Sequence, residues 1–259
     1  IIEAPALKEG FGEDEFKDIQ TLALARNADG LLLMVDLSQN PLEQLSMIIN
    51  ELEKARIIIE KPRAKVEIEK QHLGAGLRII IIGRLVYCNL KDVENLLKSY
   101  RISDGIVKIY GEATLDDVED AIFESTIYRP AIVVANKMDV PEVAEKLNEL
   151  KNVIGTETKV LSISCITRTG LESLGKEIFE SLGIIRVYSK EPSRKEHSPK
   201  PFIMKKGATI LDVAKQIHSD FYKQFAYAKV WAKRLTFSPQ KVGLSFFLED
   251  GDIVEIHTK

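Results

Sequence analysis

Three polar residues in the order Asn-Lys-x-Asp, namely Asn136, Lys137 and Asp139, directly follow the apolar run Ala131–Ala135. The carboxylate of Asp139 can accept hydrogen bonds from the ring N–H and the exocyclic amine of guanine, which adenine does not present in that arrangement. Asn136 can donate and accept at the base edge, and the aliphatic stem of Lys137 can lie on the flat face of the base. The alternative interpretation is a surface turn, where Asn and Asp are common.

A second motif further along the chain favours guanine recognition over a simple turn. The segment "KVLSIS" predicts a strand, and it leads into Ser164, Cys165 and Ile166. Guanine-binding proteins usually carry Ser-Ala-Lys at this place, and the central backbone N–H faces the guanine carbonyl; a cysteine retains that N–H. Ligands bind beyond the carboxyl ends of parallel strands, and both motifs directly follow predicted strands.

A phosphate-binding loop of the form Gly-x-x-x-x-Gly-Lys-Ser/Thr does not occur in the sequence. Gly74, Gly76 and Gly83 are not followed by Gly-Lys-Ser/Thr, so such a loop would lie before Ile1. Backbone N–H groups and the lysine of that loop supply much of the nucleotide affinity. We expect a GTPase if Ile1 is a truncation point, and only weak guanine binding if nothing precedes it.

The elements around these motifs predict an α/β fold. The uninterrupted apolar strands Leu31–Val35 and Ala131–Ala135 are typical of a parallel sheet that is covered on both faces. Pro41 opens a helical pattern, and Thr114 is a predicted N-cap of another helix. Between these helices, "AKVEIEKQHLGAGLRIIIIGRL" predicts a β-hairpin or a loop-linked strand pair.

We therefore predict a partial P-loop GTPase-type doubly wound sheet, a small inserted α+β domain and a compact C-terminal unit. The polar segment "SKEPSRKEHSPK" has no periodicity and predicts a linker. The predicted boundaries are 1–57 and 112–186 for the GTPase-like domain, whose N-terminal part is absent, 58–111 for the insertion, 187–200 for the linker and 201–259 for the C-terminal domain.

The overall composition indicates a folded cytoplasmic protein. Apolar residues make up 45% of the 259 residues, which argues against disorder. No apolar run approaches the roughly 20 residues of a membrane helix, so we expect no membrane partner. Cys88 and Cys165 are far apart and have no metal-ligand spacing.

The C-terminal segment is basic, with nine Lys/Arg against six Asp/Glu in residues 201–259. Its cations share the segment with Tyr222, Phe225, Tyr227 and Trp231, a mixture that can contact RNA backbone and bases. The alternative is a solvated helix face over core aromatics. The predicted RNA contacts are Lys205, Lys206, Lys233 and Arg234.

The chain resembles the DRG branch of the Obg-type GTPases, from "KEGFGED" through "LEDGDIVEI". The segments "ARNADGLLLMVDLS", "RPAIVVANKMD" and "LGIIRVYSKEP" are similar in order and spacing, and the tail that begins "KKGATILD" resembles a TGS domain, a ubiquitin-like β-grasp. The resemblance implies GTP or GDP as ligand, Mg²⁺ as its companion ion, GTPase activity in the full-length form, and association with the ribosome or RNA. It also implies a regulatory protein partner, and an inserted domain like one found in ribosomal proteins.

One departure from the family pattern affects the switch motif. Glu3-Ala4-Pro5-Ala6 aligns with the family's Asp-x-x-Gly. The resemblance therefore places Glu3 at the magnesium position and Ala6 opposite the γ-phosphate, with less backbone freedom than a glycine would give. This departure favours the competing hypothesis of a non-hydrolysing, GTPase-like adaptor that binds RNA or the ribosome through its TGS and inserted domains.

Overall fold

The computed structural model describes residues 1–7, 15–70, 74, 76–123, 126–154, 158–217 and 222–258. The chain divides into two compact units, Ile1–Gly175 and Lys176–Lys259. The helices are α1 (Glu15–Asn27), α2 (Pro41–Lys54), α3 (Leu90–Ser99), α4 (Leu115–Phe123), α5 (Val143–Ile154), α6 (Leu171–Ser181) and α7 (Ile210–Ile217). The strands are β1 (Leu31–Asp36), β2 (Ile57–Ile58), β3 (Ala64–Lys70), β4 (Leu77–Leu85), β5 (Gly105–Ala113), β6 (Ile127–Tyr128), β7 (Ala131–Asn136), β8 (Lys159–Ser162), β9 (Ile184–Ser189), β10 (Phe202–Lys205), β11 (Phe225–Trp231), β12 (Gln240–Val242) and β13 (Ile253–Thr258).

A three-stranded parallel sheet with the order β1-β7-β8 forms the centre of the first unit. The side chains of β7 are buried from Ala131 to Ala135, as expected for a strand covered on both faces. Helices α2 and α5 contribute to the same core as the strands, which confirms the predicted α/β class. The core includes Leu33, Val35, Leu45, Leu52, Val133, Leu147 and Leu150.

The start of α2 fixes the loop that follows β1. The Asn40 side chain accepts hydrogen bonds from the N–H groups of Leu42 at 3.2 Å and Glu43 at 3.4 Å. Pro41 occupies the first turn, where its missing N–H costs nothing. Leu45 and Leu52 then lie on the buried face. The four residues between β1 and α2 therefore run from a paired strand to a capped helix start.

The inserted domain is larger than predicted. Helix α4 packs with α3 against the sheet of β3, β4 and β5, and Val118 of α4 is fully buried in that core. The predicted boundary at residue 111 therefore ends the insertion too early, and the helix assigned to the doubly wound part belongs to the insertion. An amphipathic pattern reports that one helix face is buried, but it does not identify the sheet that covers it. The insertion is flanked by the parallel pair β2 and β6, in which Ile57 pairs with Ile127.

The sequence of the insertion predicted a β-hairpin or a loop-linked strand pair; the two strands are present as β3 and β4, but they do not form a hairpin. The strand order is β3-β5-β4, so that β5 lies between the two strands of the predicted hairpin. β3 pairs with β5 antiparallel, and β4 pairs with β5 parallel. The strand β5 is more deeply buried than β4, and its Val107 and Ile109 are fully buried, which suits the central position.

The C-terminal unit contains a five-stranded sheet with the order β10-β9-β13-β11-β12, and the short helix α7 contributes to the same core. β9 and β13 are parallel, and the other pairs are antiparallel. This is the predicted β-grasp. Its core combines strand and helix residues: Ile185, Val187, Ile210, Val213, Val230, Val254 and Ile256.

The predicted linker over 187–200 and the predicted domain start at residue 201 need correction. Ile184–Ser189 is strand β9, which pairs with both β10 and β13. The polar segment without periodicity thus begins only after Ser189. Across the described residues, no helix combines the length and apolar character required to cross a bilayer.

Candidate functional site

The candidate base-reading loop leaves the parallel sheet at the carboxyl end of β7. Asn136 is the last residue of β7 and pairs in register with Asp36 of β1. Asn136 is half-buried, whereas Lys137 and Asp139 are exposed. The backbone of Lys137 is left-handed, with a φ of 69°, and its carbonyl accepts a hydrogen bond from the Val140 N–H at 3.1 Å. This turn carries the polar side chains out of the buried strand, where a ligand can reach them.

The two sequence motifs meet through a hydrogen bond between their side chains. The Ser164 hydroxyl, which is fully buried, donates to Oδ1 of Asp139 at 2.5 Å. The same hydroxyl oxygen accepts a hydrogen bond from the Thr167 N–H at 3.1 Å. The backbone adds a further link, because the Met138 N–H donates to the Ile163 carbonyl at 3.1 Å. The carboxylate of Asp139 is therefore held in one orientation by the second loop.

The second loop closes tightly behind Ser164. The Ser164 N–H donates to the Thr169 carbonyl at 3.0 Å. Gly170 then adopts a φ of 78°, and a Cβ at this position would lie 2.5 Å from the Ser162 carbonyl oxygen, so only glycine fits here. Cys165 and Ile166 lie at the exposed tip, and Ile166 is 81% exposed. The loop thus offers an exposed backbone and one apolar side chain beside Asp139.

Sequence reasoning missed Asp36. Its Oδ2 lies 2.6 Å from the Nζ of Lys137, and its Oδ1 accepts hydrogen bonds from the Ser38 hydroxyl at 2.6 Å and the Ser38 N–H at 2.8 Å. Partial burial on its own raises the pKa of Asp36, but the hydrogen bonds from Lys137 and Ser38 outweigh it and hold the pKa below its usual value. The only signal in the sequence is that Asp36 ends the strand that neighbours Asn136.

Glu3 and Ala6, the predicted metal and γ-phosphate positions, lie in an exposed segment at the start of the chain. Within the described residues, the hydrogen bond that links this segment to α1 runs from the Thr21 hydroxyl to the Pro5 carbonyl at 3.4 Å. No group of three His, Cys, Asp or Glu side chains in the described ranges is placed to hold a metal ion. Mg²⁺ in proteins is usually bound by one or two carboxylates together with waters and substrate phosphates, so Glu3 would supply one ligand and the nucleotide and waters the others. The roles of Glu3 and Ala6 stay predictions.

The four predicted RNA contacts differ in their surroundings. Lys205 and Lys206 lie exposed at the end of β10, and Lys233 is exposed after β11. The Arg234 guanidinium instead pairs with Asp252 at 2.5 Å and with Glu249 at 3.1 Å. Arg234 therefore stabilises a loop of its own domain.

The aromatic residues that accompany these cations in the sequence are also engaged within the domain. The Lys190 amine lies over the Trp231 ring at 4.8 Å, and the Lys241 amine over the Tyr227 ring at 4.1 Å. Tyr227 also stacks on His257 with 4.4 Å between the ring centroids. These contacts favour a structural role for Trp231 and Tyr227, the alternative noted from the sequence.

Comparisons with known proteins identify two family matches along the chain. Residues 75–184 match the model of the C-terminal region of the MMR_HSR1 domain, and residues 185–258 match the TGS domain. The whole chain is 32% identical to an uncharacterised GTP-binding protein of Methanocaldococcus jannaschii, of which it covers 66%, and 28% identical to developmentally-regulated GTP-binding protein 2 of Mus musculus, of which it covers 69%. It therefore spans about two thirds of the length of these relatives. The structure of the YchF GTPase of Schizosaccharomyces pombe matches this chain with a TM-score of 0.52 and 13% sequence identity. The match covers 97% of this chain and 77% of that one, and at this identity it is evidence for a similar fold only.

Proposed function

Because the chain belongs to the DRG branch of the Obg-like GTP-binding proteins and carries a TGS domain, we propose that it binds guanine nucleotides at the loops after β7 and β8. Asp139 identifies the base through its carboxylate. Asn136 and the stem of Lys137 contact the base edge and face. The backbone of Cys165 donates to the guanine carbonyl, beside Ser164 and Ile166. GTP and GDP are alternative ligands of this site, since both carry guanine.

The hydrogen bond between Ser164 and Asp139 is the observation that carries this proposal. An ionised carboxylate offers about four acceptor positions, and the Ser164 hydroxyl occupies one of them. The exposed remainder of Asp139 can accept both N–H groups of guanine. Because the serine fixes the orientation of the carboxylate, its remaining acceptor positions are already ordered when the base arrives.

The proposal is confined to recognition of the base. Hydrolysis of GTP requires groups that bind the phosphates and order the attacking water. The 259 residues contain no Gly-x-x-x-x-Gly-Lys-Ser/Thr sequence. The described residues therefore support binding of guanine, whereas hydrolysis would need additional groups that bind the phosphates.

Replacing the carboxylate of Asp139 by an amide tests this assignment. In Asp139→Asn the amide can donate a hydrogen bond where xanthine presents a carbonyl, so we expect weaker GDP binding and stronger binding of xanthosine diphosphate in calorimetric titrations. Asp116→Asn is the matched control, because Asp116 is an exposed carboxylate of the inserted domain. A chain that binds GDP no better than ADP, or an Asp139→Asn variant without the change in preference, would refute the site.

We propose RNA binding by the TGS domain as a second function, on a different observation. Phe247 is 67% exposed, and it pairs with Thr209 next to the turn that carries Lys205 and Lys206. The Leu248 N–H donates to the Ala208 carbonyl at 2.9 Å, which ties the two segments together. An exposed aromatic ring on a segment tied by its backbone to the turn with the exposed Lys205 and Lys206 suits a single-stranded base and its phosphates.

Substitution of the two lysines separates this function from guanine binding. We expect the Lys205→Ala/Lys206→Ala variant to lose salt-sensitive binding of single-stranded RNA, measured by fluorescence anisotropy, and to retain GDP binding. The ribosome is the RNA-rich partner that the resemblance implies, so purified ribosomes are the second probe. Lys195→Ala/Lys200→Ala removes two other exposed lysines as the control. Equal losses in both double variants would mean that RNA contact is not located at this turn.

A further inference from the structure

The amine of Lys137 is anchored by the end of β1 and the loop that follows it. Its Nζ lies 2.6 Å from Oδ2 of Asp36 and 3.4 Å from Oγ of Ser38. The Lys137 side chain nevertheless remains 47% exposed, against 23% for Asp36. The charged end is thus fixed while part of the aliphatic stem stays accessible.

Asp36 itself is held firmly from the opposite side. The Gln44 side-chain amide of α2 donates to the Asp36 carbonyl at 3.1 Å, and its oxygen accepts the Asp36 N–H at 3.0 Å. The Lys146 amine of α5 donates to the carbonyls of Leu37 at 3.2 Å and Gln39 at 2.8 Å. Two helices therefore brace the segment that carries the Asp36 carboxylate.

The ion pair is not needed to align the strands that it joins. β1 and β7 are already paired in parallel register over six residues, from Leu31 with Ala131 to Asp36 with Asn136. The Lys137 N–H also has its own acceptor, Oδ1 of Asn136, at 2.8 Å. The Asp36 carboxylate therefore acts mainly on the position of the Lys137 side chain.

We propose that Asp36 is a positioning residue for guanine nucleotide binding. By holding the Lys137 amine, Asp36 presents the aliphatic stem to the face of the base before the nucleotide arrives. A free lysine side chain samples many rotamers, and ordering it on binding would weaken affinity. This inference rests on the guanine site proposed above.

A double-mutant cycle tests whether Asp36 acts through Lys137. Asp36→Asn keeps an oxygen that accepts from Ser38 but loses the charge that pairs with Lys137. We expect about fivefold weaker GDP binding, the effect of one partly exposed ion pair. Lys137→Met removes the amine and retains an unbranched apolar stem. In the Lys137→Met background we expect Asp36→Asn to cause no further loss, because the interaction is already absent.

Two further variants separate positioning from a general loss of structure. Asp36→Glu retains a carboxylate and should recover part of the affinity that Asp36→Asn loses. Glu112→Gln breaks a comparable exposed pair, Arg84 with Glu112 at 2.7 Å in the inserted domain, and should leave GDP binding unchanged.

The outcomes distinguish this inference from the proposed function. Wild-type affinity in Asp36→Asn, or an equal loss with and without the Lys137 amine, would overturn the positioning role while leaving the guanine site intact. Absence of GDP binding by the wild-type chain would overturn both. A normal response of Asp139→Asn together with a non-additive cycle at Asp36 and Lys137 would support both.

Discussion

The two sheets place their carboxylates in opposite surroundings. In the C-terminal sheet, the Glu255 side chain is only 4% exposed and contacts Lys190, Lys229 at 3.5 Å and His257 at 2.7 Å. At the carboxyl end of the parallel sheet, Asp36 pairs with one lysine and Asp139 accepts from one buried hydroxyl. All three are acids beside polar or cationic partners, but they differ in burial and in the number of acceptor positions left open.

This difference separates a carboxylate that stabilises a fold from one that can bind a ligand. Burial on its own raises the pKa of Glu255, yet the hydrogen bonds from Lys190 and His257 and the charge of Lys229 outweigh it, and the pKa lies below its usual value. Its acceptor positions are used within the domain. Asp139 is oriented by a single contact and remains exposed, so it has acceptor positions to offer.

The largest predicted effect is the loss of stability of the C-terminal unit in Glu255→Gln. The substitution leaves Lys190, whose side chain is 15% exposed, without its buried counter-charge, so we expect about 2 to 3 kcal/mol loss of unfolding free energy in the C-terminal unit. Trp231 is the single tryptophan of the chain and lies in that unit, so its fluorescence during urea unfolding reports the unit selectively.

Glu249→Gln provides the exposed counterpart in the same unit. The Glu249 side chain is 68% exposed and pairs with Arg234, which retains Asp252 as a partner. We expect a loss below about 1 kcal/mol. Equal losses for Glu249→Gln and Glu255→Gln would show that burial does not distinguish the two kinds of carboxylate.

An intermediate effect is expected from Ser164→Ala, this time on binding. Loss of the hydroxyl frees Asp139 from its fixed orientation and removes a hydrogen bond to a charged group, about 1.5 kcal/mol or roughly tenfold in GDP affinity. Ser173→Ala is the control, since the Ser173 hydroxyl donates to the Gly170 carbonyl at 3.0 Å in the adjoining turn and does not contact Asp139. Similar GDP affinities for the two variants would remove the orienting role of Ser164. Calorimetric titration measures both.

The sequence predicted where the Asn136–Asp139 loop leaves the sheet because the determinants of that position are local. An uninterrupted apolar run predicts a buried parallel strand, and the motif that follows must emerge at its carboxyl end. The two loops meet at Asp139 and Ser164 because β7 and β8 are neighbours in the sheet, an order that the sequence did not predict. The direct hydrogen bond could not be predicted either, because it depends on how closely the two loops approach one another.

Elements whose partners lie elsewhere in the chain could not be assigned in this way. The pattern of α4 shows an apolar face but does not specify that the face covers the inserted sheet. The apolar strand Ile184–Ser189 likewise gives no sign that it joins β10 and β13. The Asp36 contact depends on register, since only the pairing of β1 with β7 brings it beside Lys137. The apolar pattern of a segment indicates that one of its faces is buried, but tertiary packing determines which element covers that face.

The smallest predicted effect is the contribution of the exposed ion pair between Asp36 and Lys137 to the free energy of unfolding, which should disappear at low pH. Because the folded state holds the pKa of Asp36 below its ordinary value of about 3.9, the pair contributes stability above that pH and loses it as the pH falls through the lowered pKa. The wild type and Asp36→Asn should therefore differ by less than about 1 kcal/mol at pH 7 and converge once the pH falls below the lowered pKa of Asp36. Hydrogen exchange of the β7 amides measures this difference. A difference that persists unchanged into acid would show that the stabilisation arises from packing at Asp36, because protonation of the carboxylate abolishes an ion pair but leaves the shape of the side chain intact.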